Sequence, residues 1–511
     1  MRERTSQATL GPLEPGAATR ALVVTSVFGE REAVDQIGRE AYSYHFVYQA
    51  FAPLLRRWGE VVELTRAESR LDYSLWRIRE RGVEPIHLSF LPLHLVYPSS
   101  QAPNIAFPFW EYPDIPNQDF DNNPRNNWVR VANRMSMILT ASGFTRDAFS
   151  RGGVRTPVRV VPVPIRPEYF DIPDHRPGER ARIDSPVHVF PSAPPAPVAP
   201  DPWRAEGLRQ LGLRAGSKYV YRSFVKPHLP SLVERYVSFS IKLGRMVDSQ
   251  HRHTFRLPPP DADSLELSGV VYTSFVNPFD PRKNWQDLLS AFLIALGDQE
   301  DATLILKLVV PPELSARGLN GILQHYRGLG LRHRCKLVFL TSYLSDAQLV
   351  ELTRLSTYYV SAARAEGACL PLQDFLAAGR PAIAPVHTAM ADYFDRDVGF
   401  VVDSHLEPTW WAHDPSRSYN TTWHRIVWQS LFDQLRDSYR VATLEASRYA
   451  AMAARGRERI ADFASAARVW PRLRSALDEA ATIDARPGRA SPPQEPTPDR
   501  DEVSRVHAAL R

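Results

Sequence analysis

The stretch from Ser356 to Phe394, STYYVSAARAEGACLPLQDFLAAGRPAIAPVHTAMADYF, constrains the chain more than any other. YYVSAA is short and β-prone, as a buried strand would be. Leu370 to Ala378 has helical composition and spacing, with Pro371 allowed in the first turn and Gly379 just past the end. A strand feeding a helix through a tight turn is the unit of a parallel α/β sheet, whose ligands bind beyond the carboxyl ends of its strands. Two carboxylates fall on that junction with seven residues between them, Glu366 in the loop and Asp374 about one turn into the helix. The N–H groups of Gly367, Ala368, Cys369 and Leu370 lie at the helix start, beyond reach of any intrahelical acceptor, and are able to receive a phosphate or a sugar hydroxyl. The same residue types also serve as ordinary capping chemistry, so the junction alone leaves both readings open.

With 511 residues the chain has length for two or three domains and more than one core. A hydrophobic fraction of 44% with 23% charged residues is that of an ordinary globular protein. Lys plus Arg number 62 against 57 for Asp plus Glu, a formal charge of +5 that would favour anionic substrates or an anionic membrane surface and does not require nucleic acid. No apolar run approaches the roughly 20 residues of a spanning helix. MRERTSQATLGPLEPGAATR lacks the apolar core of a signal peptide, so a cytoplasmic protein is expected. The two cysteines, Cys335 and Cys369, argue for a reducing compartment and against a disulfide scaffold or a zinc site.

Residues 1–20 read as a tail, after which ALVVTSVFG is a first buried strand running into a loop at Gly29 and a helix over about Ala33 to Trp58. Gly29 marks either a phosphate-binding turn or a plain tight turn. Strand-like runs follow at 60–64 and 85–91, then NIAFPFWEY, which ends in an acidic and aromatic loop. Trp110 and Glu111 there either face a cleft or fix the Asn- and Pro-rich loop beyond. MSMILTAS and TPVRVVPVPIRPEYF close a first α/β half at Phe170. From 171 to 268 the composition changes, with a proline-dense run over 190–203 that excludes sheet and helix interior. It is either packing over the hinge or an insert that meets an acceptor or partner.

A second α/β half opens at GVVYTSFV, followed by the loop NPFDPRKN and the amphipathic helix NWQDLLSAFLIAL. Arg282 and Lys283 therefore stand at the positive end of a helix macrodipole, where a diphosphate between them and the helix would turn a conflict into an attraction. Lys307 interrupts the next strand, DATLILKLVV, and is read as a lysine snorkelling past the sheet edge in preference to a ligand contact. Thr388 is an N-cap or a phosphate donor, and His387 a ligand contact or an ordinary loop residue. VGFVVDS is the last strand, and an aromatic, His- and Arg-rich stretch then becomes helical over 406–480 before a disordered tail at 481–511.

SAARAEGACLPLQDFLAAGRPAIAP resembles the E-x7-E signature of retaining family 4 glycosyltransferases, with Asp374 in place of the second glutamate. NPFDPRKN resembles that family's R-x5-K loop. Lys283 matches its lysine, whereas Asn277 stands where many members have arginine and Arg282 is left to supply the missing cation. CKLVFLTSYLSDAQLVELTRLS resembles the segment that approaches the nucleotide base, with Leu344 and Asp346 the nearest counterparts. The resemblance implies an α/β fold of GT-B architecture: two Rossmann-like domains, 21–170 for the acceptor and 269–405 for the nucleotide sugar, facing a central cleft. C-terminal helices would cross back onto the first domain, with the Pro-rich segment as an insert.

It further implies a retaining, metal-independent hexosyltransferase with no cofactor, its donor a nucleotide-diphosphate sugar and its acceptor a glycan or lipid-linked glycan, as in surface polysaccharide synthesis. Peripheral contact at the inner face of a membrane would suit such an acceptor. Glu366 would hold the hexose hydroxyls and Asp374 the ribose, Lys283 and Arg282 would stabilise the leaving diphosphate, and Trp110 and Glu111 would face the acceptor. Two other readings fit the same residues: a catalytically weak nucleotide-sugar-binding or scaffolding subunit, and a sugar-phosphate synthase or phosphorylase.

Overall fold

A computed structural model of the chain describes residues 20–26, 42–65, 70–176, 179–190, 260–411, 414, 417 and 419–483. In chain order the first half contains β1 (Arg20–Ser26), α1 (Tyr42–Trp58), β2 (Glu60–Thr65), α2 (Leu71–Arg79), β3 (Glu84–Ser89), β4 (Asn104–Ala106), α3 (Trp128–Ala132), β5 (Met137–Thr140), α4 (Gly143–Arg151), β6 (Val158–Val160) and α5 (Pro167–Phe170). Then come β7 (Ala181–Ile183), β8 (His188–Phe190), β9 (Leu265–Leu267), β10 (Val270–Val276), α6 (Trp285–Leu296), β11 (Ala302–Leu308), α7 (Pro312–Leu329), β12 (Lys336–Leu340), α8 (Asp346–Leu355), β13 (Tyr358–Val360), α9 (Leu370–Ala377), β14 (Ala382–Pro385) and β15 (Gly399–Val402). The chain continues through β16 (Ser404–Trp410), β17 (Asn420–Ile426), α10 (Trp428–Leu444), α11 (Ala446–Ala464) and α12 (Ala466–Ala481).

The first sheet has six strands in the order β2-β1-β3-β4-β5-β6, all parallel. The second has seven, β15-β14-β13-β10-β11-β12-β8, parallel except where β8 runs antiparallel to β12. Counting from β10, its parallel part reads 3-2-1-4-5-6, the doubly wound order whose switch point lies between β10 and β13. Loops leaving those two strands must open into the same crevice, because the chain departs from them to opposite sides. Helices cover both faces: Leu288, Leu289 and Phe292 of α6 pack on Leu304, Leu306 and Leu308, while Leu352 of α8 packs on Ile305 of the opposite face.

The last helix belongs to the first domain. Trp470, Leu473 and Leu477 of α12 are buried with Leu22, Val24, Phe51 and Trp58, and the Trp58 indole N–H donates to Asp478 at 2.9 Å. Two Rossmann-like sheets facing a cleft, with a helical return, make the GT-B architecture expected from the sequence. Among the described residues no helix is long and apolar enough to cross a membrane.

Two parts of the chain are built differently from the expectation. The stretch 171–268, read as a linker, supplies β8 to the second sheet and the antiparallel pair β7–β9 beside it; Phe190, which opens the proline-dense run, ends β8, and residues 191–203 of that run lie outside the described residues. The segment after β15, read as part of a helical return, is first a hairpin, β16–β17, paired from Ser404↔Ile426 to Trp410↔Asn420. NTTWHRI has the β-branched and aromatic residues of a strand, with Thr421 and Trp423 buried at alternate positions and Ile426 buried at its end. Its wealth of Trp, His and Arg hid that period.

Candidate functional site

The nine-residue loop β13–α9 carries Glu366 because the strand ends early, at Val360, and the helix does not start until Leu370. Cys369, the residue before the helix, is held at φ 54°, a left-handed conformation uncommon for a side chain with a Cβ. It turns the chain sharply into α9, where Pro371 has no N–H and the Leu372 and Gln373 N–H groups donate to the Cys369 carbonyl, so the backbone at the cavity wall is that of Gly367, Ala368, Cys369 and Leu370. Thr388, also at positive φ, accepts the Glu366 backbone N–H at 3.1 Å and so ties this loop to the next one. Gly367 passes close to the other domain: a Cβ there would stand 3.3 Å from the Phe109 Cβ.

From the other side of the switch point, Asp280 accepts the Arg282 backbone N–H at 3.0 Å and shapes a single 3-10 turn, Pro281–Lys283, ahead of α6. This turn presents Lys283 to Glu366, and Nζ donates to Oε1 at 2.6 Å. Burial works to lower the Lys283 pKa, but the Glu366 carboxylate and its neighbours leave it above the ordinary value, so the ammonium is charged. Arg282 turns toward the first domain. Its guanidinium bridges Asp280 at 2.7 Å and Glu111 at 2.7 Å, and it is nearly enclosed. Burial raises the Glu111 pKa, an effect that Arg282 opposes.

These groups line one cavity of about 410 Å³ between the domains. Trp110, Glu111, Asn277, Arg282, Lys283, Leu344, Asp374 and the run 366–370 all contribute to its wall, so residues read from four separate stretches of sequence come together. Two of the remaining expected residues do not: Asp346 starts α8 away from the wall and pairs with Arg166 at 2.7 Å, and Thr388 lies behind Glu366. Gly29 falls outside the described residues. The Trp110 indole is buried and donates to the Asp114 carbonyl at 2.7 Å, so this ring supports the cavity more than it faces a ligand.

Asp374 sits one turn along α9, half-buried at the cavity wall. Burial lifts its carboxyl to about 7, against the pull of Arg166 and with a push from Asp346. Arg166, Tyr169 and Lys307 were not among the expected site residues. Arg166 and Tyr169 belong to the proline-ruled run that closes the first domain, and the Arg166 guanidinium donates to the Tyr169 hydroxyl at 3.0 Å beside Asp374. Nothing local in IRPEYF marks them, since only the docking of that run against α9 gives them a cleft to face. Lys307 does not snorkel past the sheet edge; it is 6% exposed and lines the cavity.

The hairpin closes the first-domain side. Trp411 packs against Trp110 at 5.6 Å and Trp128 at 6.0 Å between ring centroids, joining the two domains through a buried aromatic cluster. His387 stacks on His424 of β17 at 4.2 Å, which places it behind the Glu366 loop. Among the described residues, no group of three or more His, Cys, Asp and Glu side chains is placed to hold a metal ion.

No family model matches the chain, and no curated protein matches it. Among solved structures, HepE from Anabaena in complex with UDP and glucose is similar at 13% identity, covering 90% of this chain and 99% of that one, with a TM-score of 0.45. A glycosyltransferase from Rickettsia africae ESF-5 is similar at 10% identity over 91% and 100% of the two chains, TM-score 0.48. Sucrose-phosphate synthase from Thermosynechococcus elongatus is similar at 11% identity over 90% and 98%, TM-score 0.48. At such identities and scores the likeness is one of fold outline, and the GT-B arrangement rests on this chain's own strand order, cleft and helical return.

Proposed function

We propose that the chain is a glycosyltransferase of the retaining, family 4 kind, moving a hexose from a nucleotide-diphosphate sugar to a glycan or lipid-linked acceptor in surface polysaccharide synthesis. The observation that carries this reading is the Lys283–Glu366 contact at 2.6 Å, made across the switch point and beside the N-terminus of α9. One carboxylate with oxygens for sugar hydroxyls thus stands next to an ammonium and a helix start, both suited to a diphosphate.

In that reading the bond from the anomeric carbon to the phosphate oxygen breaks while the acceptor oxygen bonds to the same face of the carbon. The acceptor's proton passes to the departing phosphate, so no side chain acts as base or nucleophile. Lys283 and the backbone N–H groups of Gly367, Ala368, Cys369 and Leu370, at the head of α9, stabilise the charge that develops on the leaving group. Glu366, held by Lys283 and by the Thr388 brace on its backbone, positions the hexose. Asp374 takes the ribose hydroxyls as acceptor when ionised. Arg282 acts at one remove, because its guanidinium is committed to Asp280 and Glu111 and steadies the loop that carries Lys283.

Purified protein incubated with GDP-mannose, UDP-sugars and dTDP-rhamnose should transfer or slowly hydrolyse at least one of them, with or without chelator, and Glu366→Ala should abolish it. No turnover with any donor would overturn the reading. The commitment of Arg282 favours one other function, a nucleotide-sugar-binding or scaffolding subunit, which would show tight donor binding without turnover.

A further inference from the structure

Lys307 lies at the carboxyl end of β11, opposite Phe275 of β10 and Leu340 of β12. Leu306 and Leu308 point into the core under α6, and Ile305 joins the one under α8, so alternation places Lys307 on the α8 face. That core ends at Leu344, and there the cavity begins: Phe275, Lys307, Val309, Tyr343, Leu344 and Leu349 form its wall. The surroundings are largely apolar, and Tyr343 is 39% exposed at the rim.

The ammonium has little to hold it there. Nζ donates to the Leu308 carbonyl at 2.8 Å, and among the described residues no carboxylate pairs with it. An ammonium carries three donors, so two are left over. Loss of water alone depresses its pKa, to about 8; neither Glu366 nor Asp374 acts on it, nor do Arg282 and Lys283. Burying a cation without a partner is costly, and a ligand acceptor in the cavity would offset that cost.

We propose that Lys307 selects the nucleobase of the donor, its ammonium donating to the O4 carbonyl of uracil or thymine or the O6 carbonyl of guanine and rejecting cytosine and adenine, which carry an amino group at that position. This rests on the reading of the cleft as a nucleotide-sugar site. A diphosphate held by Lys283 and the start of α9, with its ribose at Asp374, leaves the slot between Leu344 and Lys307 for the base. The slot's largely apolar wall suits a planar ring, and the charged group that Lys307 adds to it is a donor with no acceptor function, with the Tyr343 hydroxyl a second polar group of the same wall. Where uracil, thymine and guanine carry a carbonyl oxygen, cytosine and adenine carry an amino group, a second donor facing the first.

Calorimetric titration of the full chain with UDP against CDP and GDP against ADP, pairs matched in ring size, tests this at pH 7. In the pair that binds, the carbonyl base should bind about tenfold or more tighter, as expected for a hydrogen bond to a charged donor. Lys307→Met should collapse that ratio to within about twofold, chiefly by weakening the carbonyl base, and Lys307→Gln, able to donate or accept, should also bind both members. In the wild type the ratio should shrink as pH rises through about 8, and in Lys307→Met it should not respond. The unliganded Met variant should be at least as stable as wild type, because an unpaired buried charge has gone.

An unchanged ratio in Lys307→Met, or an equal loss for all four nucleotides as a phosphate contact would give, overturns the assignment and leaves the nucleotide site standing. Absence of nucleotide binding by the wild type overturns both.

Discussion

Lys283 Nζ and Glu366 Oε1 meet at 2.6 Å although 83 residues separate them, each delivered by the loop of a strand beside the switch point. Removing one partner strands the other in a site where side-chain exposure is 25% for Lys283 and 8% for Glu366. Lys283→Met and Glu366→Leu should each cost about 3 kcal/mol in urea unfolding, and the double variant should recover much of it. Activity should fall about 100-fold or more in Lys283→Met and stay lost in the double variant. Recovery of activity along with stability would contradict the role given to Lys283.

Asp374 should make the protein less stable as pH rises. Its folded pKa of about 7 lies above the ordinary 3.8, so the folded state holds a proton that the unfolded state has released between those values. Stability is therefore lost as pH climbs from about 4 to about 7 and is level beyond. Asp374→Asn should flatten that slope in unfolding curves taken across the window, with the largest gain in stability near pH 8.

His387 should act in the opposite sense. Burial, with His424 stacked on it, pushes its pKa down to about 3 from 6.5. Its contribution is complete above pH 6.5 and is lost as pH falls toward 3, because the unfolded chain takes up the proton first. His387→Asn should be less acid-sensitive than wild type between pH 6 and about 4 by circular dichroism.

Trp411 and Trp410 are neighbours in sequence with unequal expected effects. Trp411 is 5% exposed inside the aromatic cluster, and Trp411→Ala should cost about 3–5 kcal/mol and loosen the hairpin from the first domain. Trp410 is 38% exposed beneath Arg417, and Trp410→Ala should cost about 1 kcal/mol or less. Thermal unfolding of the two variants checks the contrast.

The sequence by itself determined what neighbouring residues can encode. The strand, turn and helix around Glu366, the loop that brings Lys283 to the head of α6, and the alternation of strands with helices are all local patterns of period, capping and breaks. So was the placing of Glu366 and Asp374 on one junction. Which partner each charge would meet was decided only by the tertiary structure. Arg282 had the sequence context of a phosphate ligand, but β4 brings Glu111 against it and a buried guanidinium takes the carboxylates within reach. Lys307 had the context of an edge lysine, yet its strand is flanked by β10 and β12, with no edge to snorkel past. The hairpin's two strands pair with each other, and the aromatic seam to Trp110 joins residues about three hundred positions apart. Contacts at such separation leave no period in the sequence, because their energy depends on the packing of whole sheets and not on the residues beside them.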